Sequence, residues 1–382
     1  MSSILLVAGD PSGDAHAARL IEALKRQDPT LTFAALGGPA MQRAGAVLLD
    51  ELTQTASIGP FDAARHLGRF LRAKRLFEAR LRTQRPDLVI LVDFGDFNLP
   101  VIAPLAKRHG VAVLYYISPQ LWAWGRWRLR YVQRYVDRMV VFLPFEKTLY
   151  EQVGVAVTWV GHPLVEHARP SLTKDAALAR YRLNPWRRTV GLLPGSREDE
   201  VRRHLPLMLA AAHRMTAHMP GLQFLIVKAP GLPRSAMDRA VRAAQCEVRL
   251  AEGALADALQ VMEAAVVASG TATLETALGD VPMVVVYRAS WPTYAAARLV
   301  LRVPSIGLVN VVAGRPIVPE LIQCRATPRG LASRVVELLR DEERCAAMRQ
   351  SLREVARTLG PPGAVTRAAL AVTEMLRSAS RS

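Results

Sequence analysis

An α/β architecture of two halves, each built on a parallel sheet with crossover helices, is predicted by three observations. Short runs rich in Val, Ile and Leu alternate with longer stretches of helical periodicity, the pattern of parallel strands joined by helices. The runs form two series, at 4–8, 33–36, 88–92, 111–117, 138–142 and 157–160, then at 189–193, 223–228, 248–251, 265–268 and 283–287. The chain of 382 residues also exceeds the usual size of one domain, and with 51% hydrophobic residues it can fill two cores.

The division is predicted from punctuation. GHPLVEHARPSLTKDAALARY turns polar between the two series, and GPPG at 360–363 interrupts helical periodicity before a last amphipathic helix. These breaks give a first domain over 1–165 and a second over 166–362. The 363–382 helix is free to pack back on the first domain or on a partner subunit.

Composition narrows the function. Three cysteines, Cys246, Cys324 and Cys345, show neither CxxC nor metal-ligand spacing, which argues against a disulfide framework and a zinc site and fits a reducing cytoplasm. The longest apolar runs fall short of the roughly 20 residues of a spanning helix. The start, MSSILLVAGDPSGD, reads as a first strand rather than a signal peptide. A formal charge of +17 points to an anionic partner or simply to an arginine-rich composition.

Open parallel sheets bind ligands beyond the carboxyl ends of their strands, so the loops there carry the chemistry. In GDPSGDAHAA, Ser12 or Asp14 suits a helix cap and Gly13 a tight turn. LLPGSREDEV presents Gly195, Ser196 and Arg197 at a helix start, either a phosphate cradle or an ordinary cap with acids favouring the helix dipole. ASGTATLETAL offers a second cradle at Ser269, Gly270 and Thr271, with Glu275 one turn on, within reach of a ribose hydroxyl. Two such loops in one half favour a diphosphate-bearing nucleotide. The fourth loop, LVDFGDFN, is placed across a cleft from the other three. Its Asp93 ends an apolar strand and reads equally as a structural or a catalytic acid, while Asp96 and Asn98 suit a helix start.

These loops, with SPQLWAW (118–124), LPFE (143–146), VGHPL (160–164) and AGRPIVPELIQ (313–323), resemble lipid A disaccharide synthase almost end to end. The resemblance implies a GT-B fold, two Rossmann-like domains with parallel sheets facing across a cleft. It also implies an inverting glycosyltransferase that joins UDP-2,3-diacylglucosamine to 2,3-diacylglucosamine 1-phosphate (lipid X) and releases UDP. By resemblance, Asp93 matches the general base, Arg197 serves the leaving diphosphate, Glu275 the uridine ribose, and Asn310 and Gln323 activity or nucleotide binding. Without the resemblance, Asn310 reads as a strand-end amide and Gln323 as a surface helix residue. No DxD triplet is present to hold a divalent ion, and neither metal nor cofactor is expected. Three positions depart from the family pattern: Asp10 for glutamate, and Gly95 and Val309 for proline. Gly95 is expected to loosen the loop after Asp93.

Acylated substrates give a reason for membrane contact, because each methylene moved from bilayer to water costs about 0.8 kcal/mol. In SIGPFDAARHLGRFLRAKRLFEARLR, Phe61, Leu67, Phe70 and Leu71 fall near one helical stripe flanked by cations, either a core face or a docking face. The expected setting is cytoplasmic and peripheral, on the anionic inner membrane surface, and the resemblance permits a homodimer. Trp122, Trp124 and Trp127 among arginines suit core and cleft better than nucleic acid, which is not expected as a partner. Other readings are another GT-B UDP-sugar transferase, a UDP-sugar 2-epimerase, or a non-catalytic nucleotide-binding scaffold at the membrane.

Overall fold

The structure is a computed structural model that describes residues 2–53, 67–300 and 305–379. The chain divides into two compact units, Met1–Pro163 with Pro361–Ser382, and Leu164–Gly360. Each holds one parallel sheet.

In the first unit the strands are β1 (Ser3–Ala8), β2 (Thr32–Gly37), β3 (Val47–Glu51), β4 (Leu88–Val92), β5 (Ala112–Tyr116), β6 (Arg138–Val141) and β7 (Ala156–Trp159). They lie in the order β3-β2-β1-β4-β5-β6-β7. Because side chains alternate across a strand, the two faces bury different residues. Ile4, Leu6, Ala8, Ile90 and Val92 pack with the helices Pro11–Gln27 and Ala364–Ala379. Leu5, Val7, Val89, Leu91 and Tyr115 pack with the helix Leu67–Thr83 and with Val132 of the helix Leu129–Tyr135. The last helix therefore belongs to the first unit, where Arg367 donates to the Val160 carbonyl at 2.6 Å and Glu374 pairs with Arg138 at 3.0 Å.

The second unit holds β8 (Thr189–Leu193), β9 (Gln223–Val227), β10 (Val248–Ala251), β11 (Ala264–Ala268), β12 (Met283–Tyr287) and β13 (Glu320–Ile322), ordered β10-β9-β8-β11-β12-β13. Strands β8, β9 and β11 are buried at every position, as expected for a sheet covered on both sides. Sequence patterning missed β3 and β13, both at sheet edges. In β3, Val47 is exposed and no residue is fully buried, while β13 is three residues long and follows a proline. Neither presents the continuous apolar run of a central strand.

The order of each sheet reverses between its first and fourth strands, β1/β4 in one unit and β8/β11 in the other. Loops diverge there and leave a crevice at the strand ends. One correction follows at once: the GDPSGD loop leaves β1 and the Asp93 loop leaves β4, which pair as Ala8 with Val92. These two loops are neighbours in one sheet.

Capping differs from expectation as well. Asp10, not Ser12 or Asp14, caps the helix Pro11–Gln27 by accepting from the Gly13 amide at 2.7 Å. Asp14 is buried and accepts from the amides of Gly38, Ala40 and Met41 at 2.9–3.1 Å, while Ser12 is exposed. Asp14 thus pins the chain after β2 rather than capping its own helix. Asp14→Ala would leave three amides without their acceptor and is expected to lower stability by on the order of 3 kcal/mol. A urea midpoint shifted down at constant slope checks this, and an unchanged midpoint contradicts it.

Candidate active site

At the mouth of β4 the backbone takes an uncommon course. Asp93 and Phe94 have φ of 43° and 51°, two successive non-glycine residues in the left-handed region, which costs on the order of 1–3 kcal/mol each. Neighbouring groups hold them there. The Asp93 carbonyl accepts from Asn98 Nδ2 at 2.9 Å and from the Tyr115 hydroxyl, and the Phe94 carbonyl accepts from the Asn98 amide at 3.0 Å. Asn98 is therefore a buried anchor of the Asp93 loop. Phe94 lies against Phe70 and Phe97, with ring centroids 5.9 Å away in each case.

Two glycines make room for this loop. A Cβ on Gly9 would lie 2.3 Å from the Phe94 ring, and one on Gly95 2.7 Å from Pro119 Cβ. Gly95 is thus a point of tight packing, opposite to the loosening expected from sequence. Asp96 is exposed and pairs with the buried Arg128, whose guanidinium lies 4.1 Å from the Trp124 ring centroid.

The electrostatics single out Asp93. Burial raises its carboxyl from the ordinary range to about 7, the nearby charges of Asp10 and Asp96 act in the same direction, and the Phe94 amide opposes them. A second acid that sequence reading passed over, Glu146 of LPFE, is raised to about 7 by burial, with the Asp93 charge contributing. It is held by the Leu143 amide at 3.1 Å and by Trp122 Nε1 at 3.3 Å. Only its place in a motif could have flagged it.

In the second unit, the loop after β8 precedes the long helix Glu198–His218. Its donors are already engaged: Glu200 Oε2 accepts from the amides of Ser196 at 3.0 Å and Arg197 at 3.3 Å, and Glu200 Oε1 accepts from Arg197 Nη1 at 3.2 Å. The expected phosphate cradle at Gly195–Arg197 is thus occupied by the chain's own carboxylate, which caps the amides at the positive end of a helix. Buried His204, also missed, joins two loops: Nδ1–H donates to the Pro194 carbonyl at 3.0 Å and Nε2 accepts from the Arg288 amide at 2.9 Å. The accepting role of Nε2 fixes the neutral tautomer, and burial lowers the pKa to match.

The loop after β11 is less committed. Ser269 donates its hydroxyl to the Ile306 carbonyl at 2.7 Å, while Thr271 is exposed and a Cβ on Gly270 would meet nothing within 4 Å. Glu275, half-buried one turn on, has a carboxyl raised by burial. Asn310 lies in a helix, Leu308–Ala313, rather than at a strand end. Its amide donates to Val318 O and Glu320 Oε1, and its oxygen accepts from the Ile317 and Val318 amides. Gln323 is buried at φ 52° and exchanges two hydrogen bonds with the Ala289 backbone, which corrects the surface-helix reading. Both amides are engaged by protein and hold loops, Asn310 with all four of its hydrogen-bonding sites used and Gln323 with two. At 309 the departure from proline is used, since the Val309 amide donates to Thr273 Oγ1 at 3.3 Å.

The apolar stripe divides. Phe70, Ala73, Phe77 and Leu81 turn toward the core, where Phe70 meets Phe97 at 5.2 Å. Leu67 and Leu71, one turn apart, are exposed at 58% and 46%. Phe70 is therefore removed from the docking face, and Phe61 lies outside the described residues. Among the described residues no helix is long and apolar enough to cross a membrane.

Two parallel-sheet Rossmann-like units define the fold class of GT-B glycosyltransferases and the related epimerases. Solved structures of that class align over nearly the whole chain: the S. aureus MnaA–UDP co-structure at TM-score 0.62 and 12% identity, covering 96% of this chain and 95% of that one. The calicheamicin glycosyltransferase CalG4 aligns at TM-score 0.61 and 18% identity, covering 99% of each. At such identities the likeness is one of fold. The family model for lipid-A-disaccharide synthetase matches residues 4–375. Lipid-A-disaccharide synthases of Geobacter metallireducens, 41% identical over 98% of this chain and 97% of their own, and Syntrophus aciditrophicus, 42% identical over 98% of each, are similar throughout. The chain belongs to the lipid-A-disaccharide synthase family.

The raised Asp93 carboxyl has a consequence for stability. The folded protein holds this proton more tightly than the unfolded chain, so its contribution is full below the ordinary carboxylate range and is lost as pH rises through about 7. Asp93→Asn is expected to be more stable than the wild type above pH 7 and to lose that advantage near pH 4. Melting temperatures across pH test this; a variant destabilised at every pH contradicts it.

Proposed function

We propose that the protein transfers 2,3-diacylglucosamine from UDP to the 6-hydroxyl of 2,3-diacylglucosamine 1-phosphate, giving the β-1,6-linked disaccharide phosphate and UDP. Membership of the family from residue 4 to residue 375 carries this reading. Nothing in the geometry favours an epimerase or a scaffold over it.

The chemistry asks for one base. An inverting displacement needs a group that takes the proton from the attacking hydroxyl and, as a rule, no covalent sugar intermediate. Asp93 Oδ suits that role, because a base works best with a pKa near the operating pH, and such assistance contributes about 100-fold to 10,000-fold. The left-handed backbone, fixed through Asn98 and Tyr115, limits where the carboxylate can point.

Negative charge gathering on the departing diphosphate is met by Arg197 with the Ser196 amide, and by the loop at Ser269, Gly270 and Thr271. At the first of these the diphosphate exchanges with the Glu200 carboxylate, which holds the donors until then. Glu275 serves the ribose of uridine. Asn310 and Gln323 act at one remove, by holding the loops around the nucleotide. The enzyme works at the anionic cytoplasmic face of the inner membrane, as a peripheral protein that docks through Leu67 and Leu71, and it is compatible with a homodimer.

Purified protein given both lipid substrates in detergent, with no added metal, is expected to release UDP and form the disaccharide phosphate. Asp93→Asn should lower kcat by 100-fold or more at nearly unchanged donor KM, with the loss greatest above pH 7. Arg197→Ala should act on both constants, lowering kcat/KM for the UDP-sugar by about 100-fold. Full turnover by Asp93→Asn would reject the base; transfer only to a soluble sugar would reject the acceptor.

A further inference from the structure

The segment 118–136 departs from the rest of the surface in charge. Between Asp96 and Asp137 the sequence contains no acidic residue, while Arg126, Arg128, Arg130 and Arg134 alternate with Trp122, Trp124, Trp127, Tyr131 and Tyr135. The structure sorts these side chains by depth. Trp122 is half-buried against Phe145, with ring centroids 5.3 Å apart, and Arg128 is buried in its pair with Asp96. Trp124 and Trp127 are exposed at 38% and 59%. The guanidinium of Arg130 lies 5.3 Å from the ring centroids of both Trp127 and Tyr131, and that of Arg134 lies 5.4 Å from Tyr135.

Stacked arginines of this kind keep their N–H groups turned outward while the rings hold their planes. Arg126, Arg130 and Arg134 have no carboxylate at ion-pair distance among the described residues. Among the described residues, three cations and two indoles therefore stand on one surface with no carboxylate paired to them.

That surface is placed with the docking helix. The helices Leu67–Thr83 and Leu129–Tyr135 cover the same face of the first sheet, and both pack on the turn Asn98–Ile102 that follows the Asp93 loop. Exposed Leu67 and Leu71 and the arginine–tryptophan surface thus flank the same loop.

We propose that Trp124, Trp127, Arg126, Arg130 and Arg134 form a second docking surface that takes the anionic headgroups of a lipid bilayer. Charge complementarity and residue type name this occupant. Indoles settle at the headgroup level of membranes, and arginines near an anionic leaflet each strengthen binding by about fivefold. Leu67 and Leu71 themselves enter the apolar layer whatever the lipid charge, whereas this surface adds to the cations beside them a strong dependence of docking on anionic lipid. The inference rests on the membrane reading given above and adds the feature that selects the leaflet's charge.

The test uses the full-length protein and sedimentation with vesicles of phosphatidylcholine, alone or with one-third phosphatidylglycerol. Wild type is expected to prefer the anionic vesicles, and the combined R126Q, R130Q and R134Q protein to lose at least about tenfold of that preference. The matching lysine triple, R126K, R130K and R134K, should keep most of it, which separates charge from folding. Turnover of detergent-dispersed substrates should be unchanged in the glutamine triple, while turnover of substrates in anionic vesicles falls. L67S with L71S should weaken binding to both vesicle types alike. If wild type binds neither, the membrane reading fails. If wild type binds and the glutamine triple keeps its full preference, this surface is not the reader. Loss of single-stranded oligonucleotide binding by the glutamine triple, with vesicle binding intact, would assign the surface to nucleic acid and overturn the proposal.

Discussion

The carbonyl oxygen of Asp93 accepts two hydrogen bonds, from Asn98 Nδ2 and the Tyr115 hydroxyl, and the loop at the mouth of β4 is arranged around that fact. A left-handed pair of non-glycine residues is unfavourable alone, so it persists only where surrounding contacts over-determine it. Here they come from three directions. Gly9 and Gly95 admit the Phe94 ring and Pro119, the three phenylalanines 70, 94 and 97 pack together, and Arg128 ties Asp96 to the next loop. The outcome is a carboxylate fixed at a sheet's switch point, desolvated and beside another acid. Each of those conditions raises its pKa toward neutrality, where a base is most useful.

The second unit solves a different problem. Its switch-point loops face a diphosphate in the proposed reaction, and a row of unmet amides at a helix start is unfavourable in an empty site. Glu200 meets them for the time being. In that reaction such a carboxylate would compete for the same N–H groups, so affinity for the UDP-sugar would reflect a difference between two anions rather than the full strength of one. His204 stabilises the arrangement by tying Pro194 to Arg288, and its neutral tautomer keeps a positive charge out of the core.

How much of this was legible depended on the kind of signal. The central strands β4, β8 and β11 are buried on both faces and read as unbroken apolar runs, and the loops after them could be found from strand ends alone. Edge strands β3 and β13 lack that run and went unseen. At the site, residue types were readable and partners were not. Asn310 and Gln323 match ligand positions by resemblance, yet Asn310 is held by the 317–320 segment and Gln323 by the Ala289 backbone, while Asp14, which suits a cap in the sequence, is held by the amides of Gly38, Ala40 and Met41, a matter of tertiary contact that spacing does not encode. Glu146 went unnoticed because its burial depends on neighbours that spacing does not encode, whereas Glu200 does act as the cap acid that its place near a helix start suggests. The helical stripe misled by one residue: Phe70 and Leu71 are adjacent in sequence and about 100° apart around the helix, so one turns inward and the other outward.

The central claim is that the fold holds Asp93 as a carboxyl that titrates near neutrality. Carbon NMR of the enzyme with 13C-labelled aspartate carboxyls, with the Asp93 signal assigned by its loss in Asp93→Asn, measures this directly. The account expects a midpoint of about 7 for that signal. A midpoint in the ordinary aspartate range, about 4, would contradict it.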